Sequence, residues 1–555
     1  MAITIGQQNQ LYLEFRLGCN YLLINESYMK KTYFIKSLLL ASAVFLGACS
    51  EKILDYKDPS NYNADSYYNT PAQIEGAVNG AYVSYQYFSM LGWKWPEMFD
   101  VLGNESKPTS SALSAEPSII AFEKYQINNL NDNVLLFWRG LYKRIQRANL
   151  VILKGEQYES IHGVGKDPIV SRSIGQAYFI RGHAYFELAF YYGRVPLRLS
   201  FNQVGIEDAP RADKIEDVWT VAESDFKKAQ ELLPESYDNA NLGRATKGSA
   251  TGFLGKLYLY TKKYAESETE LAKLEGKYSL LPKSKWDDNF GETNENNQES
   301  VFEYQFAWKD GNFPWGNFGA NPDGDDPNPS TQNAHAQLYT SSNVGGWNNW
   351  KFQDYRINDF KYKDEAGIDY IDPRAELTFY GSKTTLGDTT ILDKSPDGKQ
   401  SYDFASLGYW FRKYTNLEVA KPNFLQSGVN HRFMRYADVL LMRAENKLET
   451  ADLTAAIGFI NQVRERIGAF KYTLGKYTSK TEVFNLLKRE RLIELMGEQS
   501  RYNDLKRWGI LEETINPELQ FLYGVQNVTS KHYYFPIPQL EIDTNLKLGD
   551  VSDVY

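Results

Sequence analysis

Between Val218 and Leu233, Ala222, Phe226 and Ala229 recur at helical spacing, and Pro234 closes the run. Steps of four, three and then five from Ala222 put a small residue, a large aromatic and a second small residue on one helix face, with proline where the helix must stop. The next segment repeats the scheme over two helices: Leu254-Gly255 and Tyr258, then Tyr264-Ala265-Glu266. The small residue marks where two helices touch, and the aromatic plugs the pair. A third pair, with a weaker pattern, runs from Tyr436 to Leu448 with Ala444, and from Leu453 to Arg466 with Ala456, Ile460 and Val463; Glu482 to Trp508 supplies a further pair. Each such pair buries one face against its neighbour, so several must stack into one body.

The spacing matches tetratricopeptide-type helix pairs. Other helical patterns precede them. Ile74 to Tyr87 follows the start signal Thr70-Pro71, and Leu135 to Leu153 is a second run. Arg172 to Tyr192 reads as a long amphipathic helix, with Ala177, Ile180, Arg181, Ala184, Leu188 and Tyr191 at threes and fours, broken by Gly193-Arg194-Val195-Pro196. Gly92 to Glu116 reads as a polar, Ser/Pro-rich loop. The stretch Pro282 to Phe424 interrupts the repeats; it is rich in Gly, Asn, Asp, Pro and Trp and has no useful helical period. Insertions of this size are functional or disordered, and this one's aromatic content argues against disorder. The expected fold is mostly α: a tetratricopeptide-like helical scaffold carrying a large irregular, loop-rich ligand-binding region. The expected boundaries are a helical region over 64–281, the loop-rich region over 282–424 and a C-terminal helical region over 425–555.

Leu46-Gly47-Ala48-Cys49 ends an apolar run that opens with Lys30, Lys31 and Lys36. A basic flank, a short apolar stretch, small residues and a cysteine read as a lipoprotein signal over 29–48, since the run is shorter than the roughly 20 residues a membrane span needs. Cys49 is the expected site of lipidation, and 49–63 the expected tether. Residues 1–28 read as an upstream start or an unprocessed leader and are set aside. Only one other cysteine exists, Cys19, inside that leader. A chain starting at Cys49 then has no disulfide and no thiol nucleophile, and stands on core packing alone.

The net charge is −9 and grows more negative without the leader, so the body lacks the Lys/Arg footprint of a nucleic-acid binder. The five histidines, His162, His183, His335, His431 and His532, show no zinc-helix spacing, and His183 reads as a packed or partly exposed helix residue. No nucleophile elbow or phosphate loop occurs. A glycosidase needs two carboxylates about 5–10 Å apart, and among 70 Asp and Glu spacing singles out no such pair. Asp323-Gly324-Asp325-Asp326 groups oxygen ligands of the kind calcium takes, but off the spacing of a calcium loop, so it reads as a solvated acidic turn. No metal site or other cofactor is expected beyond what that turn would offer calcium.

Aromatics make up 15% of the chain, 40 Tyr, 30 Phe and 11 Trp, which is either core filling or a surface that stacks on something flat. Trp138, Trp219 and Trp508 lie in helical patterns and Trp286 beside Phe290, so all four read as core; Trp410 sits in a strand-like run. Trp93, Trp95, Trp308, Trp315, Trp347 and Trp350 lie among Gly and Asn in loops and read as stacking faces for sugar rings, with Asn104, Asn348 and Asn349 as hydrogen-bond partners for the hydroxyls.

Six stretches in order carry a resemblance to a family. They are the lipidation motif at Cys49; Gly175 to Leu188 with Tyr192-Gly193-Arg194-Val195-Pro196-Leu197; Gly243 to Ala250; Ile371-Asp372-Pro373-Arg374; Arg432 to Glu445; and Glu490-Arg491 to Trp508-Gly509 with Phe535-Pro536-Ile537-Pro538. Together they resemble the SusD/RagB family of nutrient-binding outer-membrane lipoproteins, over nearly all of the chain after Cys49. The resemblance implies a helical scaffold facing a SusC-type TonB-dependent transporter barrel, a role as the barrel's lid, lipid anchoring in the outer membrane facing the exterior, and binding rather than enzymatic activity. It places the ligand site in Trp93 through Asn104 and Trp308 through Trp350. The ligand class it implies is a glycan or, in the RagB branch, a peptide. A surface glycoside hydrolase and a pure assembly adaptor are the alternatives from other classes.

Overall fold

Helices begin where the chain supplies caps. In the computed structural model, α1 (Pro71–Val83) starts at Thr70, whose hydroxyl accepts from the Gln73 amide at 3.4 Å while the Gln73 side chain accepts from the Thr70 amide at 3.1 Å. The helix α2 spans Lys94–Leu102. Asn131 caps α3 (Asp132–His162), and Asp167 caps α4 (Pro168–Tyr192), which has proline at its first position and ends at Gly193 with φ of 75°. There follow α5 (Ile215–Leu232), α6 (Lys247–Tyr260), α7 (Tyr264–Ala272), the short α8 (His335–Tyr339), α9 (Tyr436–Glu449), α10 (Leu453–Arg466), α11 (Lys480–Leu495), α12 (Arg501–Arg507) and α13 (Leu511–Tyr523). The structure describes residues 67–87, 90–92, 94–115, 117–201, 208–307, 332–340, 346–380, 409–415 and 427–551. The expected leader, signal, Cys49 and tether lie outside them, as does the acidic turn at Asp323.

Each helix from α3 to α6 packs on the next, α7 packs on α9, and α9 packs on α10 and α11. The middle of the chain is thus spliced out in space and the repeat stack is continuous across it. The contact inferred at Gly255 is present: a Cβ there would lie 2.5 Å from Leu271 Cδ2 of the partner helix. Gly255→Val should therefore cost about 1–3 kcal/mol of stability through overpacking. A thermal melt that fails to move would show that the two helices can part at no cost.

Two elements depart from the sequence reading. The segment read as a polar loop, Gly92 to Glu116, contains α2, and all of α2 is buried. The helix expected to be amphipathic, α4, is buried on every side from Ser173 to Tyr192, because α1, α3 and α5 all pack on it. Its polar side chains are paired internally: Arg181 forks onto Asp225 with both nitrogens at 2.8 Å, Glu187 takes Arg144 at 2.6 Å, and His183 Nδ1 meets the Tyr85 hydroxyl at 2.9 Å. His183 is thus a packed residue, and burial holds its imidazole well below the usual range.

Among the described residues, four antiparallel two-stranded ribbons lie between the helices: β1 (Ser106–Pro108) with β3 (Trp350–Phe352), β2 (Ser300–Tyr304) with β8 (His431–Arg435), β4 (Lys361–Lys363) with β5 (Asp369–Ile371), and β6 (Phe379–Tyr380) with β7 (Trp410–Phe411). Trp410 is a buried strand residue. Much of the aromatic surplus is core: Phe99 lies 4.7 Å from Tyr191, which stacks on Phe535 at 5.6 Å, and Phe302 stacks on Phe433 at 5.8 Å. Among the described residues no helix is long and apolar enough to cross a membrane.

Buried ions join the middle of the chain to the C-terminal helices. Arg374 forks onto Asp372 at 2.9 Å twice and reaches Glu490 at 2.6 Å and Glu494 at 3.1 Å, all four side chains being fully buried. Arg435 binds Glu299 at 2.6 Å, Glu494 at 3.2 Å and Glu498 at 2.7 Å, and Arg464 binds Glu490 at 2.9 Å. Three of the six stretches that carried the family resemblance thus meet in one ionic cluster.

The C-terminal residues return to the first helices. The Phe535 amide donates to the Tyr191 carbonyl at 2.7 Å, the Gln539 amide to the Asn129 carbonyl at 2.8 Å, Arg198 pairs with Glu541 at 2.7 Å, and the Asn545 side chain donates to the Ala209 carbonyl at 3.0 Å. The described residues from Asn69 onward form one compact unit.

Candidate ligand-binding site

The two stretches expected to hold the site, far apart in the chain, are joined by the Trp350 indole, which donates to Glu97, and just beyond them by the ribbon β1–β3, where Ser106 faces Phe352 and Pro108 faces Trp350. Beyond it the Thr109 amide donates to the Asn349 carbonyl at 2.9 Å and its hydroxyl to the Asn348 carbonyl. Residues 346–349 are strapped to α8 as well. The Trp347 amide donates to the Gln337 carbonyl at 2.8 Å, that of Asn349 to Leu338 at 3.1 Å, and that of Asn348 to Thr340 at 3.0 Å. Two positions restrict which residue they can hold. A Cβ on Gly346 would fall 2.1 Å from the Thr340 carbonyl oxygen, and Asn348 has φ of 55°, a conformation asparagine tolerates better than most residues. Gly92 joins the same rim by accepting from the Ala334 amide at 3.0 Å.

The structure sorts the expected ligand residues. Trp347 and Asn348 are half-buried and stand on this rim. Trp95 and Trp350, expected as stacking faces, are core residues. Trp350 is fully buried, because it and Phe352 point to the inner face of their strand, and its indole N–H donates to Glu97. Trp95 packs edge-on against His431 at 5.0 Å and beside Phe99 at 5.0 Å. Asn104, expected to hold sugar hydroxyls, is a buried connector instead: it donates to the Tyr355 hydroxyl and to Glu518, both at 2.9 Å, and accepts from Gln353 at 2.9 Å. Asn349 is largely buried, and its backbone joins the two stretches. Trp93, Trp308 and Trp315 lie outside the described residues.

Beneath the rim lie carboxylates that the sequence reading did not single out. Asp100 accepts from the Tyr339 hydroxyl of α8 at 2.8 Å and from Gln499 at 2.9 and 3.0 Å. Burial pushes its carboxyl up to about 7, and burial together with the nearby Asp100 pushes Glu105 up to about 8. Both are sealed in, at 0% and 1% exposure, so neither reaches a molecule bound above. The signal for Asp100 was its place with Glu97 at i and i+3 in an otherwise apolar run, Trp95-Pro96-Glu97-Met98-Phe99-Asp100-Val101-Leu102; Glu105 had none. What the rim presents is a half-buried tryptophan followed by a half-buried asparagine, on a backbone fixed at many points. Among the described residues no group of three or more His, Cys, Asp or Glu is placed to hold a metal ion.

Comparison with known proteins bears on this arrangement. Residues 298–551 match the SusD family, and residues 52–259 match a second family model, described as starch-binding and associating with the outer membrane. The chain belongs to the SusD family. It is 25% identical over 516 residues to a SusD-like protein of Formosa agariphila, covering 87% of this chain and 91% of the relative. The crystal structure of a SusD superfamily protein from Bacteroides vulgatus is 25% identical, with a TM-score of 0.66, over 87% of this chain and 99% of that one. Surface glycan-binding protein A from Bacteroides thetaiotaomicron, solved in complex with laminarihexaose, shares the fold at 21% identity and a TM-score of 0.66, over 86% and 98% of the two chains. The SusD fold accounts for the continuous repeat stack and the aromatic, ribbon-linked region beside it.

Proposed function

We propose that this SusD-family chain is a cell-surface glycan-binding lipoprotein. It is held in the outer membrane through lipid on Cys49, and it captures oligosaccharide or polysaccharide as the lid of a SusC-type TonB-dependent transporter. It binds and does not hydrolyse. The observation that carries the reading is Trp347: a half-buried tryptophan, followed in the chain by the half-buried Asn348, on a rim strapped to α8 and to Thr109. An indole face stacks on the C–H face of a sugar ring, and an adjacent amide exchanges hydrogen bonds with its hydroxyls; pre-fixing the backbone lowers the ordering cost of binding. The family's starch-binding description and the laminarihexaose complex of the Bacteroides thetaiotaomicron protein support the ligand class.

The test is affinity electrophoresis against starch, laminarin, xylan, mannan and pectin. One glycan class should retard the protein, and Trp347→Ala should weaken that retardation about tenfold or more while leaving the melting temperature unchanged, given about 1–3 kcal/mol per aromatic stacking contact. Retardation that survives Trp347→Ala would remove the site from this rim. Binding of peptide pools with no glycan retardation would replace the reading by a RagB-type peptide carrier. Copurification of a barrel protein with the lipidated chain tests the partnership.

A further inference from the structure

A second cleft, of about 240 Å³, opens where the α5–α6 connection, the turn after α7 and the turn before β2 come together. None of these segments contributes to the rim of Trp347. Its apolar walls are the half-buried rings of Tyr237 and Tyr278 and the side chain of Leu242, which is 51% exposed. The Tyr278 ring has a fixed seat, since a Cβ on Gly248 would fall 2.1 Å from its hydroxyl oxygen. The polar groups around these walls have capacity left. Arg244 donates through Nε to Asn241 at 3.0 Å and through Nη1 to Gln176 at 3.2 Å, and its Nη2 has no partner among the described residues. Gln298 donates to the Leu280 carbonyl at 3.3 Å, leaving its amide oxygen unengaged among those residues. Lys277 and Glu235 form an exposed ion pair at 2.8 Å on the margin.

We infer that this cleft is a second glycan subsite, taking one sugar ring of a longer chain or its terminus. Two aromatic walls with an exposed leucine ask for a ligand with an apolar face. Donors from Arg244 and Lys277 beside acceptors from Gln298 and Glu235 ask for hydroxyls, which donate and accept at once. A phosphate would meet Glu235 in a chain that is already anionic. Ligand pockets for drug-sized molecules start at about 300 Å³, so a space of this size fits one ring and not an oligosaccharide. The inference rests on the glycan reading and extends it: a long polymer would be gripped at two separate places, raising avidity without any change at Trp347.

The experiment is calorimetric titration of the full-length protein in detergent with laminarihexaose, maltohexaose, xylohexaose and mannohexaose. It is run for the wild type, Trp347→Ala, Tyr237→Ala, Gln298→Ala and the double variant Trp347→Ala/Tyr237→Ala. Gln298 is exposed, so its replacement leaves the fold intact should Tyr237→Ala disturb it. The expected result is two bound hexasaccharides in the wild type, one in Trp347→Ala, one in Tyr237→Ala, none in the double variant, and about tenfold weaker binding at the second site in Gln298→Ala. A single wild-type site, lost with Trp347 and unmoved by both cleft variants, overturns the second subsite and leaves the proposed function standing. A single site lost only with the cleft variants upholds this subsite and overturns the assignment at Trp347. No binding of any hexasaccharide overturns both.

Discussion

Arg374→Met should lower the stability of the folded chain by about 3–5 kcal/mol, the range seen when one partner of a buried ionic group is removed. Methionine fills much of the volume, so the loss is not one of packing. What remains is Asp372, Glu490 and Glu494 without the cation that Arg374 presented to all three. Burial alone drives the Asp372 carboxyl up, yet the charge and hydrogen bonds of Arg374 hold it at about 2; burial likewise opposes Glu494, which Arg466, Arg435 and Arg374 hold at about 2. Both folded values lie below the unfolded ones, near 3.9 and 4.3, so the stability they contribute is present above about pH 4.5 and lost as pH falls towards 2. The deficit of Arg374→Met should therefore be largest at neutral pH and shrink on acidification. Melting curves of wild type and variant at pH 7 and pH 3 check this; a deficit equal at both would mean that the cluster acts through shape and not charge.

Asp100→Asn should do the opposite at high pH and stabilise the protein. The folded carboxyl is pushed up to about 7, far above its unfolded value, so what it contributes is present below about pH 4 and lost as pH rises through 7. Three pH units of separation correspond to about 4 kcal/mol at 1.36 kcal/mol per unit. An amide at this position keeps an acceptor for the Tyr339 hydroxyl and carries no charge to bury. The expected outcome is a reversal of sign: equal to or slightly below wild type at pH 4, where Gln499 loses one of its two acceptors, and above it at pH 9. Glu105→Gln should follow the same course with its midpoint near 8. Melting temperatures that run parallel across the pH range would show that these carboxyls are not sealed from water.

Local chemistry was legible from the residues. The repeat contact at Gly255, the break at Gly193, the cap at Thr70 and the strand at Trp410 each follow from a few neighbours in the chain. Side-chain direction in the middle region was not, because a partner far away in sequence sets it. Trp347 and Trp350 stand three residues apart in the same Gly- and Asn-rich run, yet one reaches the rim and the other the core, and only the pairing of β3 with Ser106–Pro108 separates them. The helix α2 was hidden for a related reason. Pro96 and two glycines flank or enter a ten-residue run whose Glu97 and Asp100 look solvent-facing until Trp350, Tyr339 and Gln499 supply their partners. In α4 the polar residues mimicked an exposed face, although Arg181 and Glu187 face buried counter-ions.

The return of the last residues to the first helices has a consequence for how such a chain reaches its shape. Tyr191 and Asn129 wait for Phe535 and Gln539, so the contacts that close the body join residues more than 300 positions apart in the chain. Contacts of such long sequence separation form slowly, after the local helix pairs, because the loop they close is large. A polypeptide threaded through a membrane amino end first would hold its helix pairs early and its final closure late. Until residues 535–545 emerged it would stay loose enough to keep moving, and it would lock only when they docked.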